Sequence, residues 1–443
     1  MDRRVAWIIL TTVTVFKNSH VHIIGAGIAG LAAAVHLSQE SQSISIYESA
    51  PRAGGRCRSF HDPQLGCTID NGNHLMMGGN YAILEYLSLI GASDQLIGAS
   101  DKTFPFVDLT TNEHWCLKPS AGPIPWWIFD ASRRVPKTSP WDYFSALRIL
   151  DAKPQETVAD CVGTKGSLYR NFWEPLTLAV LNTDPRKAAA KLMRPVLMET
   201  FLRGSQACRP LVARHCLADT LIEPAIKLLT GRGANIRFGA RIKAFTYTGN
   251  RISSLELDSK SIVVAPSDIV ILAVPPWIAE TLVPDLNVPP PGEPILNVHY
   301  RLPNIPTLDE TFRIIGVIGG TAHWIFVRKN LASVTISAAN GMIDQTTDFI
   351  TRTCWQDVER ALNLASPEPP SRVVKERRAT FAQTTDTLSF RPKTVTIYAN
   401  LLIAGDWTAT GIPATIEGAV RSGFQAATFV AKHHSKTTSS PPN

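Results

Sequence analysis

The amino-acid sequence predicts an α/β protein built around a parallel sheet, and three observations support this fold class. Near the start, an apolar run at residues 21–24 meets a glycine-rich turn at 25–30 and then a helix rich in alanine and leucine. A second short strand, 44–47, ends on Glu48. Far along the chain, residues 401–406 form another apolar strand that ends in an acid. These segments are typical of a dinucleotide-binding fold in which distant parts of the chain share one sheet.

The glycine-rich turn has the spacing that a dinucleotide pyrophosphate requires. Gly25 permits the tight turn, Gly27 lets the backbone approach the pyrophosphate, and Gly30 lets helix and strand pack closely. Ala29 completes the motif and is included among the predicted cofactor contacts. Glu48 can accept hydrogen bonds from the ribose hydroxyls of an adenosine. A glycine triplet alone also marks ordinary turns, so the prediction depends on the strand, helix, second strand and acid following in order.

The residues after this acid favour FAD over NAD. Gly54, Gly55 and Arg56 form a second glycine loop, in which the arginine can pair with the phosphate oxygens of a flavin dinucleotide. The sequence holds no second complete fingerprint, because the glycines at 231–233 are followed by Ile236 where the third glycine should stand. A separate nicotinamide-binding domain is therefore not expected.

The C-terminal strand and turn are predicted to close the flavin site. Gly405 and Asp406 end the strand, and the aspartate can bind a hydroxyl of the ribityl chain. Gly411 would let the backbone approach the ring, and Ile416 lies at the N-terminus of the last helix, whose partial positive charge favours an anionic reduced flavin. Asp406 alone also fits an ordinary strand-end turn, and the N-terminal fingerprint decides in favour of a flavin ligand.

Longer motifs give the chain a family resemblance. They are GAGIAGLAAAVHL, GGRCRSF, the turn at 69–74 with LMMGG, FWEPLTLAVLN at 172–182, ERRATFAQT and AGDWTATGIPATIEGAVRSG. From about Val21 to about Ala431, the chain resembles the two-domain flavin amine oxidase and phytoene desaturase superfamily. Within it, the narrower resemblance is to the squalene-associated FAD-dependent desaturases, which are hydroxysqualene dehydroxylases of hopanoid pathways.

This resemblance implies a Rossmann-type FAD-binding domain built from discontinuous segments, and a second α+β substrate domain of antiparallel sheet and helices. The predicted FAD-binding domain comprises residues 21–110, 214–275 and 395–432, and the substrate domain comprises 111–213 and 276–394. The length of 443 residues also favours two domains, since one hydrophobic core seldom grows so large.

The resemblance also implies the chemistry. The substrate would be a long apolar isoprenoid, hydroxysqualene, whose allylic hydroxyl is replaced by hydride from reduced flavin to give squalene. Ile242 would hold the adenine through its backbone. His74 and Glu174 are candidates for the acid that protonates the departing hydroxyl, although a lone histidine is more often structural and Glu174 can simply fix a helix turn. Trp407 is the first candidate for steadying an allylic cation with its aromatic face.

Three other functions fit parts of the sequence. A carotenoid desaturase shares the GDxT…EGAVxSG ending and would take hydride from its substrate, but the FWEPLTLAVLN stretch weighs against it. A flavin amine oxidase would want an aromatic cage beside the flavin and would consume oxygen with an amine. A flavin-free scaffold that binds lipid or a synthase would be colourless, and the intact cofactor motifs weigh against it.

Composition limits the partners and the compartment. Seven cysteines without a CxxC pair argue against a disulfide framework and against structural zinc, so no metal site is predicted and a reducing cytoplasm fits best. Basic residues are scattered, which makes nucleic acid a poor match. The net charge of +7 fits general solubility, and it also fits peripheral contact with an anionic membrane, which would place the protein at the inner face of the cell membrane. An upstream squalene-pathway synthase is a candidate protein partner.

Three segments stand apart from these motifs. Residues 1–20 carry two arginines before an apolar stretch and are predicted to be a start-site extension or a peripheral tether, since no small-residue cleavage site follows. Residues 433–443 are polar and predicted to be a disordered tail. The apolar run at 121–129 contains adjacent tryptophans, which suit either a soluble core or a lipid-accepting surface.

Overall fold

The structure is a computed structural model that describes residues 19–40, 42–98, 102–303 and 313–437. The N-terminal extension predicted at the start of the chain falls almost wholly on residues 1–18, outside the described ranges. In the described ranges, no helix has both the length and the apolar character needed to cross a bilayer.

Strands are numbered β1–β20 in chain order. They are His20–Ile24, Ser43–Tyr47, Ser59–Asp62, Cys67–Asp70, Met76–Met77, Leu96–Gly98, Phe104–Asp108, Glu113–Leu117, Pro210–Ala213, Asn235–Arg237, Ala244–Thr248, Arg251–Glu256, Ser261–Val263, Ile269–Leu272, Ile295–Arg301, Arg313–Ile318, Trp324–Arg328, Leu331–Ile336, Ser371–Glu376 and Leu401–Ile403.

The α-helices are numbered α1–α11 in the same way. They are Ile28–Leu37, Tyr81–Leu89, Ser145–Leu150, Val158–Val162, Glu174–Leu181, Ala190–Glu199, Ser205–Cys208, Glu223–Gly231, Pro276–Leu282, Thr347–Leu362 and Ile416–Thr437.

The first sheet is parallel throughout, with the strand order β10-β2-β1-β14-β20. Strands β14 and β20 are continuous runs of buried isoleucine, valine and leucine, as expected where both faces of a parallel sheet are covered, whereas β1 and β2 also contain the buried polar residues His22 and Ser45. Helix α1 packs against α11. A Cβ at Gly423 would lie 2.3 Å from the Ala29 carbonyl oxygen, so glycine allows this close crossing. The two ends of the chain thus fold together, as predicted.

The second sheet has seven strands in the order β19-β15-β18-β17-β16-β7-β8. Its pairs are antiparallel except for β7 with β16. Helix α10 covers one face, where Ile350, Trp355 and Val358 pack onto Val298 and Val334. The opposite face carries polar side chains toward the cavity described below. The structure therefore combines a parallel dinucleotide-type sheet with a largely antiparallel second sheet, which confirms the predicted fold class.

Two predicted boundaries differ from the observed elements. Strand β7 falls within the range 21–110 predicted for the FAD-binding domain, yet it pairs with β16 in the seven-stranded sheet. An alternating pattern identifies a strand but does not say which sheet it joins. Helix α11 continues to Thr437, past the predicted start of the tail at 433, and residues 438–443 lie outside the described ranges.

Smaller sheets connect the two large ones. Strands β11 and β12 form a hairpin over Gly249 and Asn250, and β13 extends it. Strands β5, β9 and β6 form an antiparallel sheet, and β3 pairs with β4. These pairings hold the segment after β4, including His74, between the parallel sheet and the seven-stranded sheet.

Candidate active site

A cavity of about 840 Å³ lies between the carboxyl ends of the parallel strands and the polar face of the seven-stranded sheet. This edge of a parallel sheet is where α/β folds bind their ligands. Thirteen of the sixteen predicted site residues line the cavity, and Gly30, Glu174 and Gly411 do not. The lining residues are Gly25, Gly27, Ala29, Glu48, Gly54, Gly55, Arg56, His74, Ile242, Gly405, Asp406, Trp407 and Ile416.

The turn after β1 is shaped by contacts that leave no room for side chains. Gly25 has a φ of +103°, and a Cβ there would lie 2.4 Å from the Ala273 carbonyl oxygen. A Cβ at Gly30 would lie 2.0 Å from the Gly25 carbonyl oxygen, so Gly30 serves helix packing rather than the cavity wall. Around a Cβ at Gly27, by contrast, no atom lies within 4 Å. Open space therefore faces the cavity at Gly27.

This open space suits a pyrophosphate. Gly27 is the N-cap residue of α1, and no side chain caps the helix there. The first backbone N–H groups of α1 are thus directed at the cavity without a side-chain acceptor, which is the arrangement that binds phosphates. The residues present at this end therefore fit a dinucleotide cofactor.

Glu48 marks the adenosine end. Its Oε2 accepts a hydrogen bond from the Ala26 N–H at 2.8 Å, and its Oε1 accepts one from the Ala50 N–H at 2.8 Å. Each carboxylate oxygen has a second lone pair, so the fixed carboxylate can still accept from a ribose. The Ala240 N–H donates to the Glu48 carbonyl oxygen at 2.8 Å, which brings Ile242 onto the same wall.

Arg56 and Asp406 form an ion pair, with 2.6 Å between Nη2 and Oδ1. The Arg56 Nη1 also donates to the Ala379 carbonyl oxygen at 2.7 Å. Burial opposes the charge on Arg56, but the adjacent Asp406 carboxylate raises the pKa of the guanidinium. The sequence predicted a phosphate partner for Arg56 and a ribityl hydroxyl for Asp406. The structure joins the two side chains on the cavity wall, and the pair ties the second glycine loop to the C-terminal turn. Their contacts with a phosphate and a ribityl hydroxyl stay predictions.

Trp407 lies at the edge of the cavity, but its indole ring is packed inside the hydrophobic core. The side chain is only 1 % exposed, and its Nε1 donates to the Val274 carbonyl oxygen at 3.0 Å. The ring packs so closely on Gly405 that a Cβ there would lie 2.4 Å from Nε1. The prediction that Trp407 presents an aromatic face to a cation is therefore wrong, because the indole is enclosed by protein.

Glu174 and Gly411 also need correction. Glu174 begins α5 outside the cavity lining, in the field of Arg186 and Arg170, and burial raises its pKa. It cannot protonate a substrate in the cavity from there. Gly411 is exposed and has a φ of +81°, so its role is to allow the turn before α11 rather than to approach a ring. The sequence motif did not indicate which side of α5 faces the cavity.

His74 is the catalytic candidate that the structure leaves in place. It lines the cavity, and burial lowers the pKa of its imidazole to about 4. The ring is consequently neutral at pH 7, where it can donate one N–H and accept at the other nitrogen. Its role as a donor to a substrate oxygen is compatible with this geometry.

A polar cluster beside His74 was not singled out from the sequence. The Asn73 Nδ2 donates to the Thr335 Oγ1 at 3.0 Å, and Thr335 donates to the Asn297 Oδ1 at 2.9 Å. Asn297 on β15 and Thr335 on β18 are directly opposite each other in the sheet register. The feature of the sequence that could have indicated this cluster is a pair of polar residues, Asn297 and Thr335, each inside a largely apolar strand. We call Asn73, Asn297 and Thr335 the amide cluster.

Apolar side chains form much of the remaining wall around the amide cluster. They are Leu75, Met76, Met77, Ala179, Val180, Pro195, Val196 and Ile295. Such a wall fits a hydrocarbon chain, while the amide cluster fits one polar group. No cluster of three or more His, Cys, Asp or Glu side chains that could hold a metal ion occurs in the part of the chain that the structure describes.

The family model of flavin-containing amine oxidoreductases matches residues 28–431. The chain therefore belongs to the flavin-containing amine oxidoreductase family, and it is an FAD-dependent oxidoreductase. It is 44 % identical to the hydroxysqualene dehydroxylase of Sinorhizobium fredii over 408 residues, which cover 92 % of this chain and 97 % of that relative. The hydroxysqualene dehydroxylase of Rhodopseudomonas palustris is 42 % identical over 414 residues, covering 93 % and 98 %.

A solved structure gives independent support for the fold. Cyclohexylamine oxidase from Brevibacterium oxydans matches with a TM-score of 0.69 at 16 % identity, covering 94 % of this chain and 99 % of that one. At this identity, the likeness shows the fold alone. The predicted family is confirmed by the family match and the two dehydroxylases, and the predicted cofactor is confirmed by the match to a flavin-containing family.

Proposed function

We propose that this protein removes the hydroxyl of hydroxysqualene reductively, giving squalene and water. One observation carries the proposal: a single cavity joins a cradle for FAD to an apolar wall that holds one compact polar cluster. The similarity to hydroxysqualene dehydroxylases over more than nine-tenths of the chain supports this choice of substrate.

FAD, when bound in its two-electron-reduced form FADH2, would supply one hydride and one proton and return to FAD: the hydride replaces the hydroxyl, and the hydroxyl leaves with the proton as water. The residues at Gly27 and the first turn of α1 would hold the pyrophosphate. Glu48 and Ile242 would hold the adenosine. Asp406 and Ile416 would lie on the side of the flavin ring system.

The substrate hydroxyl is proposed to bind at the amide cluster next to His74. Asn73 and Thr335 present polar groups there, and the neutral His74 ring offers an N–H to the departing oxygen. A hydrogen bond to that oxygen strengthens as the carbon–oxygen bond weakens and negative charge grows on it. The apolar wall excludes water that would otherwise capture an allylic cation.

The test is anaerobic incubation of the flavin-loaded protein, chemically reduced, with hydroxysqualene, followed by identification of the product. We expect squalene in amounts matching the flavin oxidised. His74→Gln should retain FAD but form squalene at least tenfold more slowly. Flavin that stays reduced in the presence of hydroxysqualene would rule out the proposal.

Two parallel incubations separate the alternatives. Conversion of phytoene by the oxidised protein, without reaction of hydroxysqualene, would favour a carotenoid desaturase. Oxygen consumption with an added amine would favour an amine oxidase.

We further propose a cytoplasmic location, peripheral at the inner face of the cell membrane, with an upstream squalene-pathway synthase as protein partner. A water-insoluble substrate and a net charge of +7 support the location. Fractionation of cells would place the protein in the salt-extractable membrane fraction, and cross-linking would detect the synthase.

A further inference from the structure

Six large apolar side chains are exposed on one surface, which we call the aromatic patch. Two adjoining 3-10 turns, Trp126–Phe129 and Pro140–Phe144, carry most of it, and α3 continues the second turn. The members and their exposed fractions are Ile124 (54 %), Trp126 (64 %), Phe129 (59 %), Trp141 (76 %), Phe144 (48 %) and Leu147 (58 %). The ring centroids of Trp126 and Phe129 lie 6.1 Å apart, those of Trp141 and Phe144 lie 5.5 Å apart, and the two turns contact each other. Clustered exposed apolar side chains of this kind on a folded protein mark an interaction site.

The aromatic patch rests on an ordered base. Trp127 and Tyr143, which alternate with the exposed rings, are buried and meet edge to face at 5.2 Å. The Val135 N–H donates to the Tyr143 hydroxyl at 2.9 Å, and the Arg134 Nη1 donates to the Ile128 carbonyl oxygen at 3.1 Å. The exposed rings are therefore held in place by packing and hydrogen bonds beneath them.

The charge around the patch is positive. From residue 118 to residue 153 the chain has six basic and three acidic side chains, and one of the basic ones, Lys137, is paired with Glu113 at 2.9 Å. The excess of basic over acidic side chains remains after this pair is counted. Asp130 accepts from the Ser132 N–H and Asp142 accepts from the Ser139 N–H, so both carboxylates are held within their own turns and keep their negative charge. The basic side chains around the patch form a basic rim that would be attracted to anionic headgroups. The tryptophan and phenylalanine rings suit the interfacial zone of a bilayer, just beneath the headgroups.

The patch is also connected to the cavity. Helix α3, which carries Leu147, packs against α6. Helix α6 contributes Pro195 and Val196 to the cavity wall. The surface that bears the exposed rings is thus one helix away from the apolar end of the cavity.

We propose that the aromatic patch docks the protein on an anionic phospholipid bilayer, with its rings in the interface and its basic rim on the headgroups. Docking there places the apolar end of the cavity next to the phase in which a long hydrocarbon dissolves. The identity of the hydrocarbon that enters from the bilayer, hydroxysqualene, rests on the proposed function, whereas the docking itself does not.

The test uses the full-length, flavin-loaded protein and vesicles of phosphatidylcholine with or without phosphatidylglycerol. We expect co-sedimentation with the anionic vesicles, weakened by salt. The double variant Trp126→Ser/Trp141→Ser should lower the partition coefficient at least tenfold. Its matched control is Val263→Ser/Ile397→Ser, which removes two apolar side chains exposed to a similar extent, 78 % and 76 %, and should leave the partition unchanged.

Other results would overturn the proposal. They are failure of the wild-type protein to bind anionic vesicles, or equal losses in the two double variants. Binding to the purified synthase that depends on Trp126 and Trp141, without vesicle binding, would show that the surface docks a protein. Both double variants should turn over detergent-dispersed hydroxysqualene at the wild-type rate. Vesicle binding without squalene formation would refute the proposed reaction and leave the docking surface standing.

Discussion

The two ends of the cavity are built by different means. The cofactor end is made of backbone: Gly25, Gly27 and Gly30 follow one another within a single turn and set its shape by lacking side chains. The hydroxyl end is made of side chains that the chain brings together from far apart, Asn73, Asn297 and Thr335. Steric space limits the residues that the cofactor end accepts, and hydrogen-bond pairing limits those that the hydroxyl end accepts. Substitutions at the cofactor end should therefore impair folding or FAD binding, whereas substitutions at the hydroxyl end should mainly impair squalene formation.

The largest effect is expected at the cofactor end, from Gly30→Ala. The added Cβ would lie 2.0 Å from the Gly25 carbonyl oxygen and 3.2 Å from the Ala273 Cβ, so the helix cannot move away without a shift of the backbone. We expect a loss of about 5 kcal/mol in the free energy of unfolding, enough to leave little folded protein. The control is Gly27→Ala, where no atom lies within 4 Å: its stability should change by less than about 0.5 kcal/mol while FAD affinity falls. Thermal unfolding and flavin absorbance measure the two effects, and equal stability of the two variants would refute the distinction.

Trp407→Ala should lower the free energy of unfolding, as truncation of a buried side chain does. Removing a fully buried indole typically costs roughly 4 kcal/mol, and here it also leaves the Val274 carbonyl oxygen without its donor. Trp407→Phe should recover most of the stability because it refills the space. If Trp407→Ala instead unfolded like the wild type but lost squalene formation, the ring would belong to the reaction after all.

Acid should weaken the polar face of the seven-stranded sheet. His299 on β15 lies two residues from Asn297, bonds Ser333 through Nδ1 at 2.8 Å, and burial lowers its pKa from 6.5 to about 4. Between these two pH values the unfolded chain binds a proton that the folded chain does not. Stability present above pH 6.5 is therefore lost as the pH falls toward 4, by up to about 3 kcal/mol for this residue.

Urea unfolding at pH 7, 5.5 and 4 measures this loss. His299→Asn should show a shallower decline than the wild type. His114→Asn, at an exposed position of β8, is the control and should keep the wild-type decline. Parallel curves for the wild type and His299→Asn would contradict the assignment.

A smaller loss of stability than at Gly30, Trp407 or His299 is expected at the amide cluster. Thr335→Val keeps the shape of the side chain but removes the hydroxyl that bonds Asn297 and Asn73, at a cost of about 1–2 kcal/mol. FAD binding should be unchanged, and squalene formation should fall at least tenfold. Thr335→Ser restores the hydroxyl and should restore the rate. A normal rate in Thr335→Val would remove the cluster from the proposed hydroxyl site.

The predictions from sequence succeeded where neighbouring residues define the structure. Gly25, Gly27 and Glu48 were placed correctly on the cavity wall because a strand, a turn and a helix N-terminus are local geometries. Glu174 was misplaced because a motif does not reveal which side of a helix is buried. Trp407 was misjudged because the environment of its ring depends on Val274, a residue distant in the sequence.

The order of residues alone was enough to predict the strands and glycine-rich loops of the nucleotide-binding sheet, because helix, turn and strand preferences act over a few residues. The meeting of the N-terminal and C-terminal motifs was predicted from their matching cofactor motifs rather than from local preferences. Three-dimensional packing decided the Arg56–Asp406 pair, the amide cluster and the sheet to which β7 belongs. Each of these depends on contacts between segments separated by tens to hundreds of residues. Their energies come from burial and pairing, which exist only once the chain has folded.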